Sequence, residues 1–248
     1  VKHNPRSAQI AFVATIVVVL FAATVFAYNL YSPPRRWHTP PTYTVDNRGL
    51  SSVADGDGGI TRTINAVTST AAWNGAGAGT RVYASSGSVS GWSLGDGIPM
   101  LNFTDPENAC TGGCLAATFI TYYDSTTNFY SDADIVTNST GHLWTSQGED
   151  PGGSGCSNEF YIEGVMVHEV GHGMGLAHTG VSGATMLPSV SACNNNPATT
   201  ESDDEAGLRA NYNCGDYGDL CDPRYVSVTC CPGQVCVSPY PGVPKYCL

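Results

Sequence analysis

Charge is scarce in this chain: only 12% of its 248 residues are Asp, Glu, Lys or Arg, and only ten of those are basic. Against 21 acids this leaves a net charge of −11. A phosphate backbone needs a basic face, so nucleic acid is excluded as a partner. Apolar residues are not scarce, at 42%, and the low charge therefore describes an ordered globular protein rather than a disordered one. The CxxC pairs of a zinc ribbon are also missing, although there are ten cysteines and six of them fall in the last 35 residues. An even, clustered set without those pairs points to disulfides and an oxidising compartment. There is no internal repeat.

What is present divides the chain into four parts. Lys2, His3 and Arg6 precede an apolar run from Ile10 to Ala27, broken only by Thr15 and Thr24. With Val25-Phe26-Ala27 as a cleavage signal, residues 1–27 read as a secretory signal peptide. A run of about 18 residues also just spans a bilayer, so an uncleaved N-terminal anchor facing outward is the alternative, and only then is a membrane a partner. Residues 28–41 (YNLYSPPRRWHTPP) are proline-rich and read as a linker. Residues 42–213 form one mixed domain, and residues 214–248 a cysteine-rich module. The protein is expected to be a secreted monomer.

Within the domain, Pro41–Asp46 and Arg81–Ala84 are short strand candidates, and Leu115–Tyr123 and Ala133–Thr137 are richer ones. Ile60, Ile64, Val67 and Ala71 recur at helical spacing and predict a helix over 60–73. A second helix is expected over Asn158–Met174, with Asn158 as N-cap and Glu159 in the first turn. Ser202 and Glu205 form a capping-box pattern opening a last helix to Tyr212. The order predicts an α+β fold.

The segment His168-Glu169-Val170-Gly171-His172-Gly173-Met174-Gly175-Leu176-Ala177-His178 carries the chemistry. Residues four apart share one face of a helix, so His168 and His172 can bind one zinc through neutral imidazoles. Glu169 stands beside the first ligand, where a carboxylate reaches a metal-bound water as general base and then acid. Gly175 permits a left-handed helix stop that brings His178 in from outside. Three protein ligands leave a fourth position for water, the arrangement of a catalytic zinc.

These residues resemble the signature of the metzincin metallopeptidases, HExxHxxGxxH followed by a Met-turn, and within them the matrixins. Ser182-Gly183-Ala184-Thr185-Met186-Leu187-Pro188 is similar to the Met-turn, which puts Met186 beneath the zinc as a packing base. Thr179 stands where matrixins carry Ser, and Asp203-Asp204-Glu205-Ala206-Gly207-Leu208 resembles the start of their final helix. Ala133-Asp134-Ile135-Val136 is similar to the strand bordering the substrate cleft, so the resemblance makes Ile135, Leu187 and Pro188 substrate-contacting residues. It implies a metzincin-type domain with a twisted mixed sheet, active-site helix, Met-turn and C-terminal helix. The implied activity is zinc-dependent hydrolysis of protein or peptide substrates. Leu187 departs from the family's aromatic at that position, and no cysteine precedes Cys110, so a cysteine-switch propeptide is not expected. Calcium is a second cofactor the family often binds. Asp55-Gly56-Asp57-Gly58-Gly59 reads either as a calcium loop or as an acidic glycine turn.

Cys110 and Cys114 are expected to close the TGG loop, leaving Cys156 to pair with Cys193. The tail spacing C-x6-C-x8-CC-x4-C-x10-C resembles the inhibitor cystine knot, or knottin. That resemblance implies Cys214–Cys231, Cys221–Cys236 and Cys230–Cys247. So small a segment depends on disulfides, since it has no sufficient core. It serves either as a binding module or as a protease-resistant cap. The competing reading is an extracellular binding protein in which the tail acts and the zinc domain is a scaffold. The retained Glu169 counts against it.

Overall fold

The computed structural model describes residues 28–89, 93–124, 129–149, 155–212, 235–238 and 245–247. The apolar run at 10–27 lies outside them, as do Cys214, Cys221, Cys230 and Cys231. Among the described residues no helix is long and apolar enough to cross a membrane.

In chain order the elements are β1 (Asn29–Leu30), β2 (Arg36–Trp37), β3 (Thr42–Asp46), α1 (Ile60–Val67), β4 (Tyr83–Gly87) and β5 (Met100–Asn102). These are followed by β6 (Ala116–Asp124), β7 (Phe129–Thr137), β8 (Trp144–Thr145), β9 (Phe160–Tyr161), α2 (Ile162–Gly173), β10 (Leu176–Ala177) and α3 (Ser202–Tyr212). In the tail, β11 (Cys236–Val237) pairs antiparallel with β12 (Tyr246–Cys247), and Cys236 is disulfide-bonded.

The domain is organised by a six-stranded, mostly parallel sheet. Parallel pairs join β3 to β4, β3 to β5, β5 to β7 and β2 to β7, while β6 lies antiparallel on the other side of β7. Among the described residues β6 has no second strand partner, so it is a sheet edge. Strands covered on both faces lose solvent alternation, and β7 shows it. Ala133 and Ile135 join the apolar core. Asp132 and Asp134, equally buried on the opposite face, accept the N–H groups of Gly97 and Gly95, each at 2.9 Å.

The helix at 60 ends earlier than its apolar spacing predicts. It stops at Val67, because Thr68 turns its hydroxyl onto the Ile64 carbonyl at 2.7 Å and Ser69 starts a turn. Trp73, beyond that turn, donates its indole N–H to Val167 O of α2 at 2.8 Å. Asn158 is not the N-cap of α2. It has a left-handed φ of 61°, and Phe160–Tyr161 pair with Trp144–Thr145 as strands before the helix opens at Ile162. The first-turn acid is accordingly Glu163, which accepts Gln147 N–H at 2.8 Å. At α3 the reach-back bond is made by Asp204 to Glu201 N–H at 3.0 Å, rather than by Glu205 to Ser202. The 55–59 segment forms the acidic glycine turn. Asp55 and Asp57 accept the Gly59 N–H, Asp57 also takes Thr61 N–H, and Ser146 donates to Asp55, so protein donors account for these carboxylate oxygens.

Residues 28–41 are not a linker. β1 pairs antiparallel with β10, β2 joins the main sheet, and Trp37 is buried. The reason lies at the end of α2, whose last carbonyls lack helical partners. Trp37 donates its indole N–H to Gly173 O at 2.7 Å, Asn211 donates to Met174 O at 3.2 Å, and Tyr31 N–H reaches Gly175 O at 3.4 Å. Gly175 itself has φ 93°, and a Cβ there would run into the Arg35 carbonyl and the Asn211 amide. Gly175→Ala should therefore lower the unfolding free energy by at least about 2 kcal/mol, measured by urea denaturation.

Candidate metal centre

Helix α2 is apolar on nearly every side, and every residue from Ile162 to Gly173 except His168 is buried. Such a helix is held as a core element, so the polar groups on it occupy fixed positions. His168, Glu169 and His172 are three of those groups, and His178 reaches them from beyond β10. The ligand nitrogens of His168, His172 and His178 all lie within 4.8 Å of one another.

Two outer hydrogen bonds set which nitrogen faces inward. His168 Nδ1 lies 2.6 Å from Thr185 O, and His172 Nδ1 lies 2.8 Å from Leu176 O. A carbonyl only accepts, so each Nδ1 carries the proton and each Nε2 presents a lone pair. His172 Nε2 and His178 Nε2 face each other at 3.1 Å. Burial pushes the imidazole of His172 down to about 3, helped by the charge of a protonated His168, and lowers His168 and His178 in the same direction. Two neutral imidazoles whose lone pairs face inward, with a third ring closing on them, are the donor set a divalent metal of zinc's type takes. The residues therefore fit zinc.

Glu169 is 7% exposed. Burial pushes its carboxyl up to about 7, opposed by the Thr118 hydroxyl, which lies 2.7 Å from Oε2 and 2.9 Å from the Glu169 carbonyl. A carboxylate poised near neutrality can both take and give a proton. Thr118 belongs to β6, and sequence reasoning did not single it out; only its place among β-branched strand residues hinted at more than packing.

Beneath the histidines, Met186 is buried, with its sulfur against Gly171 beside the Trp73 ring. Gly171 leaves room for both, since a Cβ there would overlap them. The turn that carries Met186 is held by Asp204. Its carboxylate accepts Thr185 N–H at 2.7 Å and Met186 N–H at 3.0 Å. A relay thus runs from α3 through the turn to His168, because Thr185 O holds the ring that Asp204 helps to place. The 203–208 segment was legible as a helix start, but not Asp204's grip on the turn.

The cluster opens into a cleft of about 840 Å³. One rim is Leu115–Thr118 at the start of β6, and the other includes Leu187 and Pro188. Ile135 is not on the cleft. It is fully buried on β7, with β5 on one side and β6 on the other, so a peptide has no access to its backbone. The strand bordering the cleft is β6. Tyr31 also lines the cleft, its hydroxyl 3.2 Å from His172 Nδ1. Two disulfides brace the surroundings, Cys110–Cys114 and Cys156–Cys193, and both pairings match the expected ones. The first closes a loop leading into β6; the second ties the segment before α2 to the chain beyond the Met186 turn.

Residues 104–213 match the family model described as Matrixin, a peptidase family. The matched stretch spans β6, α2, the three histidines, the Met186 turn and α3. It supports a zinc-dependent, matrixin-like metallopeptidase. No curated protein matches the chain.

Asp204→Ala would leave the N–H groups of Thr185 and Met186 buried without an acceptor. It should cost about 2–4 kcal/mol of stability in urea unfolding, with Asp204→Asn, which keeps one acceptor, falling between.

Proposed function

We propose that the protein is a secreted zinc endopeptidase that hydrolyses internal peptide bonds of extended protein or peptide substrates, with Glu169 as its general base and acid. The observation that carries this reading is the placement of the Glu169 carboxylate beside three converging imidazoles, two of them anchored from outside by carbonyls, at an open cleft. His168, His172 and His178 would hold the zinc through their inward nitrogens. When bound, the zinc supplies a Lewis acid that polarises the scissile carbonyl and acidifies water beside it.

The chain's own residues do the rest. A substrate running along the free edge of β6 can form strand-like hydrogen bonds with Leu115–Thr118, an addition that selects extended backbone over side chain. Apolar residues on the cleft, Leu115, Phe160, Val165 and Val190, favour an apolar substrate side chain there. Glu169 takes a proton from the attacking water onto its carboxylate and delivers it to the nitrogen of the departing amine. Thr118, bonded to Oε2, keeps that carboxylate turned toward the cleft.

The two disulfides and the cysteine-dense tail support an oxidising, extracellular destination. The apolar run at 10–27 is read as its secretory signal. The tail, with its short antiparallel pair at Cys236 and Cys247, is read as a knottin-like accessory module. The alternative of a scaffold that merely binds gives no reason for a buried carboxylate beside the histidines.

Glu169→Ala should bind zinc as the unaltered protein does while losing at least about a thousandfold in peptide hydrolysis. Zinc content by atomic emission, together with cleavage rates on a quenched fluorescent peptide, checks this. Full activity in the zinc-loaded variant would contradict the assigned role of Glu169.

A further inference from the structure

The family match begins at residue 104, so nothing in it covers the N-terminal segment. Yet this segment touches the candidate metal centre at more than one point. Strand β1 pairs with β10 in the register Asn29↔Ala177 and Leu30↔Leu176, on the residues that lead from the helix stop to His178. The Asn29 side-chain amide donates to the His178 carbonyl at 2.7 Å. Tyr31 donates its backbone N–H to Gly175 O, and its hydroxyl sits 3.2 Å from His172 Nδ1. Leu30 packs against the core, and Gly207 of α3 leaves space where Tyr28 and Leu176 come together.

Zinc ligands on one helix share a backbone that packing already holds, which leaves only their rings to be oriented. A third ligand arriving on a separate loop depends on whatever holds that loop. Here His178 is exposed, and among the described residues no carbonyl accepts from its ring as those of Thr185 and Leu176 do from His168 and His172. The path to it, from Leu176 to His178, is templated from one side by residues 29–31. His172 is held likewise. With Leu176 O accepting the Nδ1 proton, the Tyr31 oxygen is a second acceptor for that same proton, and the ring is gripped from two directions.

We infer that Asn29 and Tyr31 are positioning residues of the metal centre: Asn29 fixes the backbone that presents His178, and Tyr31 fixes the ring of His172. This inference rests on the zinc reading proposed above. Its consequence is that metal affinity is controlled by a segment roughly 140 residues away in sequence from the histidines it serves. Residues near a metal that orient its ligands alter affinity by about 10–100-fold when removed.

The test uses the full-length protein with Asn29→Ala and, separately, Tyr31→Phe, each deleting one polar group at a position that is not fully buried. Zinc affinity is measured by competition with a chromophoric chelator, and the visible spectrum of the cobalt(II)-loaded protein reports the ligand geometry. Each variant is expected to bind zinc about tenfold more weakly, with a shifted cobalt spectrum. The midpoint of thermal unfolding of the metal-free protein should stay within about 3 °C. Zinc affinity within about twofold of the unaltered protein and an unchanged cobalt spectrum, in both variants, would overturn the inference, whatever happened to thermal stability. Failure of the unaltered protein to bind zinc would overturn the zinc reading itself, and this inference with it.

Discussion

Two short hydrogen bonds organise this molecule: His168 Nδ1 to Thr185 O and His172 Nδ1 to Leu176 O. They commit each ring to one tautomer and turn its free nitrogen inward. Neither carbonyl belongs to the helix bearing the histidines. Thr185 lies in the turn gripped by Asp204 from α3, and Leu176 lies in the strand that pairs with the N-terminal segment. The histidines are thus aimed by nearby carbonyls that are themselves held by α3 and by the N-terminal segment, and those parts must fold correctly for the rings to converge.

Burial sets the chemistry of the same groups. A helix enclosed by Trp73, Met186 and the sheet offers little water to stabilise charge, so its imidazoles are held neutral and the Glu169 carboxyl is pushed toward neutrality. These are the protonation habits that metal binding and proton transfer require. The enclosure opens between the start of β6 and the Leu187–Pro188 segment, beside both Glu169 and the three histidines. The edge of the sheet, the carboxylate and the ligands thereby share one cleft. The proposed peptidase reading follows from that sharing more than from any one residue.

What the sequence disclosed, and what it hid, divides along the line between local and non-local causes. The His168–His178 spacing was legible because helix geometry and a glycine stop are local. Strands at 41–46 and 133–137 are legible because their apolar and β-branched residues declare themselves within a few positions, whereas the first part of β7, from Phe129 to Asp132, is not. Ile135 misled for the opposite reason: its strand was recognisable, but whether a strand is central or at the edge is decided by sheet order, and β6 took the edge. Residues 28–41 look like a linker in the sequence because they are proline-rich and show no periodicity. Their structure comes from supplying hydrogen bonds to the end of α2, a need visible only once that helix is in place. Asn158 made a plausible cap until Phe160 and Tyr161 were claimed by a strand, and Asp204's role depends on a turn 18 residues upstream.

For a zinc peptidase, the three histidines must hold a metal that the protein needs for cutting peptide bonds. Digestion of an end-blocked peptide library by the purified protein, with and without a zinc chelator, tests this most directly. Cleavage at internal bonds, abolished by the chelator and restored by added zinc, is the result predicted. Cleavage that persists undiminished after the zinc has been stripped would contradict it.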